Sequence, residues 1–548
     1  MLQKHKSQLT LLFITLSCIF LCQCRNEQKI KQPKLIIGIV VDQMRYDYLY
    51  RYYSKWSDGG FKRLLTEGYS FEDAQYNYVP TFTAPGHTSI YTGTTPAVHG
   101  MIANDWYDRS SGGMIYCTDD ATVKTVGSPS EKGLMSPRRE LTETIGDMLK
   151  LSNNGQSKVI GIALKDRAAI LPAGHSANGA YWFDDATGWW ITSSYYMKQL
   201  PEWVKKFNDE GRTNQYLSKP WTTLLPIEEY TESIADNNPY ERPFFSEKSP
   251  VFPHDLPNLK PQNGGYGLIK ATPFGDDLTA DFAIAAIKNE KLGKGKYTDM
   301  LTISFSSTDY VGHQFGTTAI ELEDTYIRLD RDIAQLLSFI DTYIGKENVV
   351  IFLTADHGAA DNPHYLADKG IPGGFFDENE IAAKIHAFVK EKYGVDPILQ
   401  FTNLQFYLNK QKIADNKLNL DTVEEAIANK VIEFKGVERA IPAYRLYTYR
   451  NDFITKKILN GYNPSRSGDV IINLLPEYIP YDTTGTTHGA PYVYDAHVPL
   501  LFYGGNIEHG KSAEEEAITN IAPTISELLG IQYPDGCTGE PLHITMKH

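Results

Sequence analysis

The sequence predicts an α/β fold in which a largely parallel central sheet carries helices on both faces. Three observations lead to this prediction. Short apolar segments end on charged or polar residues, helical patterns alternate with them, and the 548-residue chain is long enough to bury a large core. Continuous apolar runs are typical of strands that are buried on both faces, as happens where helices cover a parallel sheet.

Four apolar segments are predicted as parallel strands of this sheet. They lie at 34–42, 158–167, 299–309 and 348–358. Two long segments in which apolar residues recur every three to four positions are predicted as helices. They lie at 322–344 and 514–529. Strand and helix patterns therefore alternate along most of the chain.

Two long stretches interrupt this alternation and are predicted as insertions into one catalytic domain. Residues 176–270 are rich in aromatic residues, proline and asparagine, and an irregular cap is expected there. This cap could shape the entrance of a site, or its aromatic side chains could serve only in packing. Residues 362–480 combine helical runs with short strand-like pieces. The catalytic core is then expected in three parts, at 34–175, 271–361 and 481–548.

The N-terminus has the layout of a secretory signal peptide over residues 1–24. A short basic start precedes an apolar run from Leu9 to Cys22, which is too short and too close to the terminus for a convincing membrane span. The segment also resembles a bacterial lipoprotein signal that would attach a lipid to Cys24, although Gln23 departs from the small residue preferred before that cysteine. The expected location is periplasmic or extracellular, with Cys24 as a candidate lipid anchor to the membrane.

Charge and cysteine content limit the function classes. The formal net charge is -14 and no long basic tract occurs, which argues against a nucleic acid as the main partner. Three of the five cysteines lie in the leader, and the other two, Cys117 and Cys537, are free or form one bridge rather than a disulfide framework. The sequence does not determine the oligomeric state, for which a monomer is favoured.

Polar side chains follow directly on the predicted strands. In an open α/β sheet, ligands bind beyond the carboxyl ends of the strands, so these side chains are expected to converge on one edge. They are Asp42, Lys165, Arg167, Asp309, Asp356 and His357. A single acid at a strand end is more often a turn or helix cap, and it is the joint occurrence that favours a functional site.

The spacing of aspartate and histidine indicates a metal site. Asp309 and His313 are four positions apart, so a helical turn would place the carboxylate and the imidazole on one side. Asp356 and His357 are adjacent, so their side chains diverge unless a loop turns one back or each serves a different ion. His488 lies in a glycine-rich loop. Imidazole with carboxylate suits zinc better than calcium or magnesium, although buried histidines are often only hydrogen-bonded.

These residues, in this order and on these elements, resemble the two-zinc core of the alkaline phosphatase superfamily. The resemblance extends from residue 35 to about residue 530, and it implies a three-layer α/β sandwich with a large, mostly parallel central sheet. It also implies two Zn²⁺ ions as cofactors. The implied ligands are Asp309, His313 and His488 for one ion, and Asp42, Asp356, His357 and Thr83 for the other.

The same resemblance implies that Thr83 is the nucleophile. Members of the family place a serine or threonine at the start of a helix, and Thr83 holds that position in the segment YVPTFTAPGHTSI at 78–90. A helix that begins just after Thr83 would direct its free N–H groups at an incoming phosphoryl group. Thr81 and Thr88 are interpreted as structural residues. His87 is expected to pack in the helix or to contact a ligand residue rather than to bind metal.

Two cations are expected to recognise the phosphate group. Alternation along an extended segment would place Lys165 and Arg167 on one face, where arginine can bind two phosphate oxygens and lysine adds a point charge. The alternative is a charge pair in solvent at the end of a strand. Together with Asn104, the pair resembles the PafA-type bacterial alkaline phosphatases. That resemblance implies that Asn104 and Arg167 bind phosphate oxygens and that Lys165 binds the transferred group directly or through water.

The leading interpretation is a secreted, zinc-dependent phosphate monoester hydrolase of broad specificity that forms a covalent phosphothreonine at Thr83. A phosphodiesterase or nucleotide pyrophosphatase with the same two-zinc site is the alternative enzyme. A catalytically silent zinc-binding surface protein is a third interpretation. A sulfatase is disfavoured, because neither Cys117 nor Cys537 begins the Cys-x-Pro-x-Arg motif that sulfatases require.

Overall fold

The computed structural model describes residues 32–546. The predicted signal peptide, including Cys24, lies outside the described residues. Between residues 32 and 546, no helix combines the length and the apolar character needed to cross a membrane. Cys117 is buried and Cys537 is partly buried, and both are free thiols in this part of the chain.

The described chain contains β-strands from residue 35 to residue 517. They are β1 (Leu35–Val41), β2 (Tyr69–Gln75), β3 (Asp105–Asp108), β4 (Gly113–Tyr116), β5 (Thr125–Val126), β6 (Val159–Ala163), β7 (Gly179–Asp184), β8 (Trp189–Ser193), β9 (Asp299–Phe305), β10 (Val349–Thr354), β11 (Gly374–Phe375), β12 (Ile398–Thr402), β13 (Gln405–Leu408), β14 (Val437–Pro442), β15 (Val470–Leu474), β16 (Tyr478–Ile479), β17 (His497–Val498), β18 (Leu500–Gly504) and β19 (Gly510–Ala517).

The α-helices lie between the strands along most of the chain. They are α1 (Tyr48–Arg51), α2 (Phe61–Glu67), α3 (Thr83–Thr92), α4 (Pro96–His99), α5 (Ile145–Ser152), α6 (Asp166–Ala173), α7 (Glu202–Asp209), α8 (Arg212–Leu217), α9 (Leu256–Leu259), α10 (Phe274–Glu290), α11 (Ser307–Phe315), α12 (Ile320–Tyr343), α13 (Pro363–Asp368), α14 (Glu378–Tyr393), α15 (Lys410–Asp415), α16 (Leu420–Val431), α17 (Phe453–Gly461), α18 (Val493–Ala496) and α19 (Ile521–Leu529).

An 11-stranded mixed sheet forms the centre of the fold, in the order β17-β2-β18-β10-β1-β9-β6-β7-β8-β5, with β19 also paired to β2. Its middle is parallel, since β10, β1, β9, β6 and β7 are parallel neighbours. The strands on both sides of this middle pair in antiparallel fashion, except that β19 pairs in parallel with β2. The four strands predicted from the sequence are β1, β6, β9 and β10, which lie side by side.

Helices cover both faces of the parallel middle. Every residue of β1, β6, β9 and β10 is buried, as expected for strands packed on both sides. The main apolar core joins these strands to the helices, with Ile37, Ile303 and Phe352 among its fully buried residues. The polar edge at the carboxyl ends of the strands is therefore held by a rigid scaffold.

One of the two predicted helices is confirmed and the other is wrong in its first part. The helix predicted at 322–344 is α12. The helix predicted at 514–529 begins only at Ile521, and residues 514–517 belong to β19, which pairs in parallel with β2. Glutamate favours helices in isolation, but pairing with an available strand overrides a weak local propensity.

The two predicted insertions contain regular structure. Residues 179–193 contain β7 and β8, which extend the central sheet because β7 pairs with β6 and β8 pairs with β7. Trp182 in β7 and Trp190 in β8 are buried. Residues 398–474 contain a separate four-stranded sheet, β12-β13-β15-β14, with its own apolar cluster. The division into a core and two insertions stays a prediction.

Candidate active site

The residues that follow the parallel strands lie together at one edge of the sheet. Because β1, β6, β9 and β10 are adjacent and parallel, the segments after them meet at their carboxyl ends. The buried residues in these segments are Asp42, Lys165, Asp309, Asp356 and His357. Thr83, at the start of α3, and His488, in the loop before α18, reach the same site from outside the sheet and are also buried.

One group of possible metal ligands consists of Asp309, His357 and His488, whose ligand atoms all lie within 4.8 Å of one another. The rings of His357 and His488 are stacked with centroids 3.4 Å apart. His313 joins this group through Asp309, because its Nε2 lies 3.2 Å from Asp309 Oδ1 on the same helix, α11. The predicted helical pairing of Asp309 and His313 therefore occurs.

A second group consists of Asp42, His87 and Asp356, also within 4.8 Å. His87 Nε2 lies 3.6 Å from Asp42 Oδ1, and His87 Nδ1 lies 3.5 Å from Asp356 Oδ2. His357 stands between the two groups, because its Nε2 is 3.2 Å from Asp356 Oδ2. His87 therefore contacts two of the predicted ligand residues, which is one of the two roles expected for it from the sequence.

The histidines present the same nitrogen to the site. Nδ1 of each is hydrogen-bonded to a backbone carbonyl: His313 to Thr486 at 2.7 Å, His488 to Thr81 at 2.7 Å, His357 to Gly358 at 2.9 Å and His87 to Thr83 at 3.0 Å. A carbonyl only accepts, so Nδ1 carries the proton and Nε2 keeps its lone pair, as in histidines that bind metal.

The donor atoms in the site fit a metal ion. Three of them are buried and have no hydrogen-bond partner within residues 32–546: His87 Nε2, Asp356 Oδ2 and His357 Nε2. Buried polar atoms without partners are costly, and a cation would satisfy them. Imidazole nitrogens mixed with carboxylate oxygens are the donors that zinc prefers.

Gln43, which the sequence analysis did not single out, links the carboxylates of both groups. Its backbone N–H donates to Asp356 Oδ1 at 3.1 Å and its side-chain amide donates to Asp309 Oδ1 at 2.8 Å. Its φ of 63° lies in the left-handed region, which lets the chain turn sharply after Asp42. Ser304 holds Asp42 in turn, donating to its Oδ1 at 2.6 Å. These hydrogen bonds orient the carboxylates.

Lys165 bridges the two groups. Its Nζ lies 2.6 Å from Asp309 Oδ2 and 2.9 Å from Asp42 Oδ2. Burial by itself would lower the pKa of Lys165, but the charges of Asp309 and Asp42 outweigh this effect and raise the pKa above its ordinary value. Lys165 therefore stays positively charged inside a site that is otherwise rich in carboxylates.

Arg167 lies beside the hydroxyl of Thr83, with its Nη2 3.5 Å from Thr83 Oγ1. Its other terminal nitrogen donates to the Tyr116 hydroxyl at 2.9 Å, and that hydroxyl donates to Asp166 Oδ1 at 2.7 Å. This chain of hydrogen bonds fixes the plane of the guanidinium. The prediction that Lys165 and Arg167 share one face of an extended segment is wrong, because α6 begins at Asp166. The side chains reach the site from a helix cap and from the first turn.

Helix α3 begins at Thr83, one residue earlier than the sequence analysis expected. The next N–H group of the helix, that of Ala84, donates to Asn104 Oδ1 at 2.9 Å. Since the oxygen of the Asn104 amide is engaged in this way, its NH₂ group is free to donate elsewhere. Thr83, Asn104 and Arg167 thus lie next to one another at the start of α3, as predicted from the sequence.

Gly86 allows α3 to approach the segment that contains Asp356. A Cβ at this position would lie 2.4 Å from the carbonyl oxygen and 2.9 Å from the Cβ of Asp356. Gly86→Ala is therefore expected to lower the free energy of unfolding by about 1–3 kcal/mol. It should also lower kcat/KM for a reaction catalysed at this site by about tenfold or more, because Thr83 would move relative to Asp356.

Thermal unfolding and steady-state kinetics test this prediction. Gly113→Ala is the matched control, since no atom lies within 4 Å of a Cβ added there. Equal Tm and kcat/KM for Gly86→Ala and Gly113→Ala would contradict the close-approach argument.

Comparisons with known proteins find relatives that match nearly the whole chain. A family model described as type I phosphodiesterase/nucleotide pyrophosphatase matches residues 36–497. The chain is 47% identical over 540 residues to a Myroides odoratus protein named calcium-transporting ATPase, covering 96% of this chain and 97% of that protein. It is 46% identical over 518 residues to alkaline phosphatase PafA of Elizabethkingia meningoseptica, covering 94% of each.

A solved structure is similar over nearly the whole chain. The crystal structure of wild-type alkaline phosphatase PafA superposes with a TM-score of 0.91 at 45% identity, covering 94% of this chain and 99% of that one. The predicted fold class, an alkaline phosphatase-like α/β sandwich, is confirmed by this match. The central sheet is more mixed than predicted, because antiparallel strands flank its parallel middle.

Proposed function

The chain belongs to the type I phosphodiesterase/nucleotide pyrophosphatase family, and on this premise we propose that it is a metal-dependent phosphatase that hydrolyses phosphate monoesters. The observation that carries the proposal is the pair of cations in the site. Arg167 is next to the hydroxyl of Thr83, and Lys165 is buried between the carboxylates of Asp42 and Asp309. A monoester dianion carries one more negative charge than a diester, and two fixed cations favour the more highly charged ester.

Thr83 is proposed as the nucleophile of a two-step reaction. Its Oγ forms a bond to phosphorus while the bond between phosphorus and the ester oxygen breaks, and the alcohol leaves. Water then forms a bond to phosphorus, the bond to Thr83 Oγ breaks, and inorganic phosphate is released. Arg167 and the NH₂ group of Asn104 donate to the phosphate oxygens in both steps, and Lys165 offsets their negative charge.

Two Zn²⁺ ions are proposed as cofactors. One would be held by Asp309, His313 and His488, and the other by Asp42, Asp356, His357 and Thr83. When bound, zinc supplies a Lewis acid that lowers the pKa of a coordinated hydroxyl and neutralises charge on oxygen. His87, whose Nε2 faces Asp42, orients that carboxylate rather than replacing His357 in this proposal.

Removal of metal is expected to abolish activity. Dialysis against a chelator should lower kcat by more than about 100-fold, because the buried carboxylates and histidines would lose the cation that they hold. Addition of Zn²⁺ should restore activity, and addition of Ca²⁺ should not. Circular dichroism controls for unfolding, and elemental analysis measures the metal. Full turnover by protein with no bound metal would contradict the prediction.

The ratio of kcat/KM for phenyl phosphate to kcat/KM for its methyl diester tests the proposed function directly. The ratio should exceed about 100, because a single hydrogen-bond donor to a developing oxyanion typically raises the rate by at least that factor. A phosphodiesterase or nucleotide pyrophosphatase is the second candidate, because the family description names these activities and Thr83 and Asn104 suit both. A ratio below one would favour that candidate.

The similarity to alkaline phosphatase PafA argues against a catalytically silent metal-binding protein, and turnover of a phosphate ester that depends on Thr83 would exclude it. We further propose that the protein is secreted to the periplasm or the cell exterior and acts as a monomer on soluble phosphate esters. The leader at 1–24 supports secretion, with Cys24 as the candidate site of a lipid anchor.

A further inference from the structure

A cavity of about 360 Å³ lies beside the candidate active site, where the segment before α3 meets the small sheet β12-β13-β15-β14. We propose that this cavity binds the alcohol group of the ester, and that the enzyme therefore favours monoesters of uncharged, largely apolar alcohols over those of anionic alcohols. This inference rests on the proposed monoesterase function, since it concerns the part of the substrate that leaves.

The cavity begins at residues next to the reacting group. Phe82 precedes Thr83, Asp105 follows Asn104, and His488 is one of the proposed metal ligands, and all three line the cavity. The rings of Phe82 and His488 meet edge to face with centroids 5.6 Å apart. An ester whose phosphorus lies at Thr83 thus has room for its organic group along Phe82 and His488.

The remaining walls are largely apolar and come from the predicted second insertion. Leu404 follows β12, Ile471 and Ile472 lie in β15, and Ile458 lies in α17. A cavity of this size is at the lower end of the range for small-molecule sites and accommodates an aromatic ring with its substituents. The small sheet therefore supplies a binding surface that the parallel sheet alone lacks.

The charge of the lining selects against anions. The carboxylates of Asp105 and Glu378 line the cavity, whereas none of the described lining residues is lysine or arginine. A third carboxylate, Asp495, is already engaged, because its Oδ2 accepts the N–H groups of Gly489 at 2.8 Å and Ala490 at 2.7 Å. A carboxylate or phosphate on the alcohol would be buried beside like charges without a compensating cation.

Phosphonates test the inference without differences in leaving-group reactivity. In benzylphosphonate, CH₂ replaces the ester oxygen of phenyl phosphate. As a competitive inhibitor of the zinc-loaded enzyme, it should bind about tenfold more tightly than ethylphosphonate, because the ring buries additional apolar area. The 4-carboxybenzyl analogue should lose this advantage.

Two variants on one strand assign the preference to the cavity. Thr402, at the end of β12, lines the cavity, and Thr402→Trp should remove the tenfold preference for benzylphosphonate while leaving inhibition by ethylphosphonate unchanged. Leu399→Trp is the matched control, because Leu399 lies in the same strand and is 39% exposed. Leu404→Phe, in the same wall, serves as a second filling variant if Thr402→Trp does not fold.

One further variant tests the role of charge. Glu378→Gln should improve binding of 4-carboxybenzylphosphonate by about threefold or more and leave benzylphosphonate unchanged.

Unchanged selectivity in the filling variants, or tighter binding of the carboxylated analogue than of benzylphosphonate, would overturn the inference. Turnover of phenyl phosphate by Thr402→Trp would show in the same experiment that the monoesterase function stands. A protein that hydrolyses no phosphate monoester in any form would instead refute the proposed function, and the cavity inference with it.

Discussion

Thr83→Ala is expected to lower kcat/KM for phenyl phosphate by about 10⁴- to 10⁶-fold, the range found when an enzyme loses its nucleophile. The hydroxyl of Thr83 is buried at the start of α3 and lies 3.5 Å from Arg167 Nη2, where alanine offers no oxygen to the phosphoryl group. Thr83→Ser should retain part of the activity, because serine offers the same oxygen.

Kinetics and trapping of the phosphoenzyme measure this effect together. Acid quenching of the wild-type protein during turnover of labelled substrate should leave phosphate attached to the peptide that contains Thr83, and Thr83→Ala should leave none. Thr88→Ala is the matched control, since the Thr88 hydroxyl only donates to the Ala84 carbonyl one helical turn away, at 2.8 Å. Undiminished turnover by Thr83→Ala would refute the covalent mechanism.

Arg167→Ala is expected to lower kcat/KM for a phosphate monoester by about 10²- to 10³-fold, the usual cost of removing one charged donor to a developing oxyanion. Activity on the methyl diester should fall less, because the diester has one charge fewer for Arg167 to bind. The monoester-to-diester ratio should therefore fall along with activity. Lys165→Ala should also lower the monoester-to-diester ratio.

Lys165→Ala also removes a contact to two proposed metal ligands, so the zinc content of this variant must be measured beside its kinetics. Lys158→Ala is the control for loss of a lysine near β6. Lys158 immediately precedes that strand at the opposite end from Lys165, and it pairs with Glu290 at 2.9 Å on the surface. If Arg167→Ala lowered monoester and diester activities equally, the cations would not be the basis of selectivity.

The four central strands could be predicted from sequence because each is a continuous apolar run that ends at a polar residue. Buried parallel strands impose this pattern locally, and the carboxyl ends of such strands meet at one edge in any open α/β sheet. Asp42, Asp356 and His357 were found for this reason. Asp309 and His313 were paired because their spacing matches one helical turn. Thr83 and Asn104 came from resemblance to a known family rather than from spacing.

Contacts between distant residues decided the rest. Gln43 donates to Asp309, 266 positions away in the sequence, and His488 is hydrogen-bonded to the carbonyl of Thr81, 407 positions away. No local sequence pattern predicts either contact. The placement of His87 between Asp42 and Asp356 depends on how α3 packs on the segment that contains Asp356, which Gly86 allows to come close.

The four central strands, the polar edge and most of the candidate ligands follow from the amino-acid sequence, because short-range periodicity encodes burial. Packing decided the place of His87 between Asp42 and Asp356, the helix that carries Arg167 and the cavity beside Phe82. Each of these depends on packing between elements that are far apart in the chain.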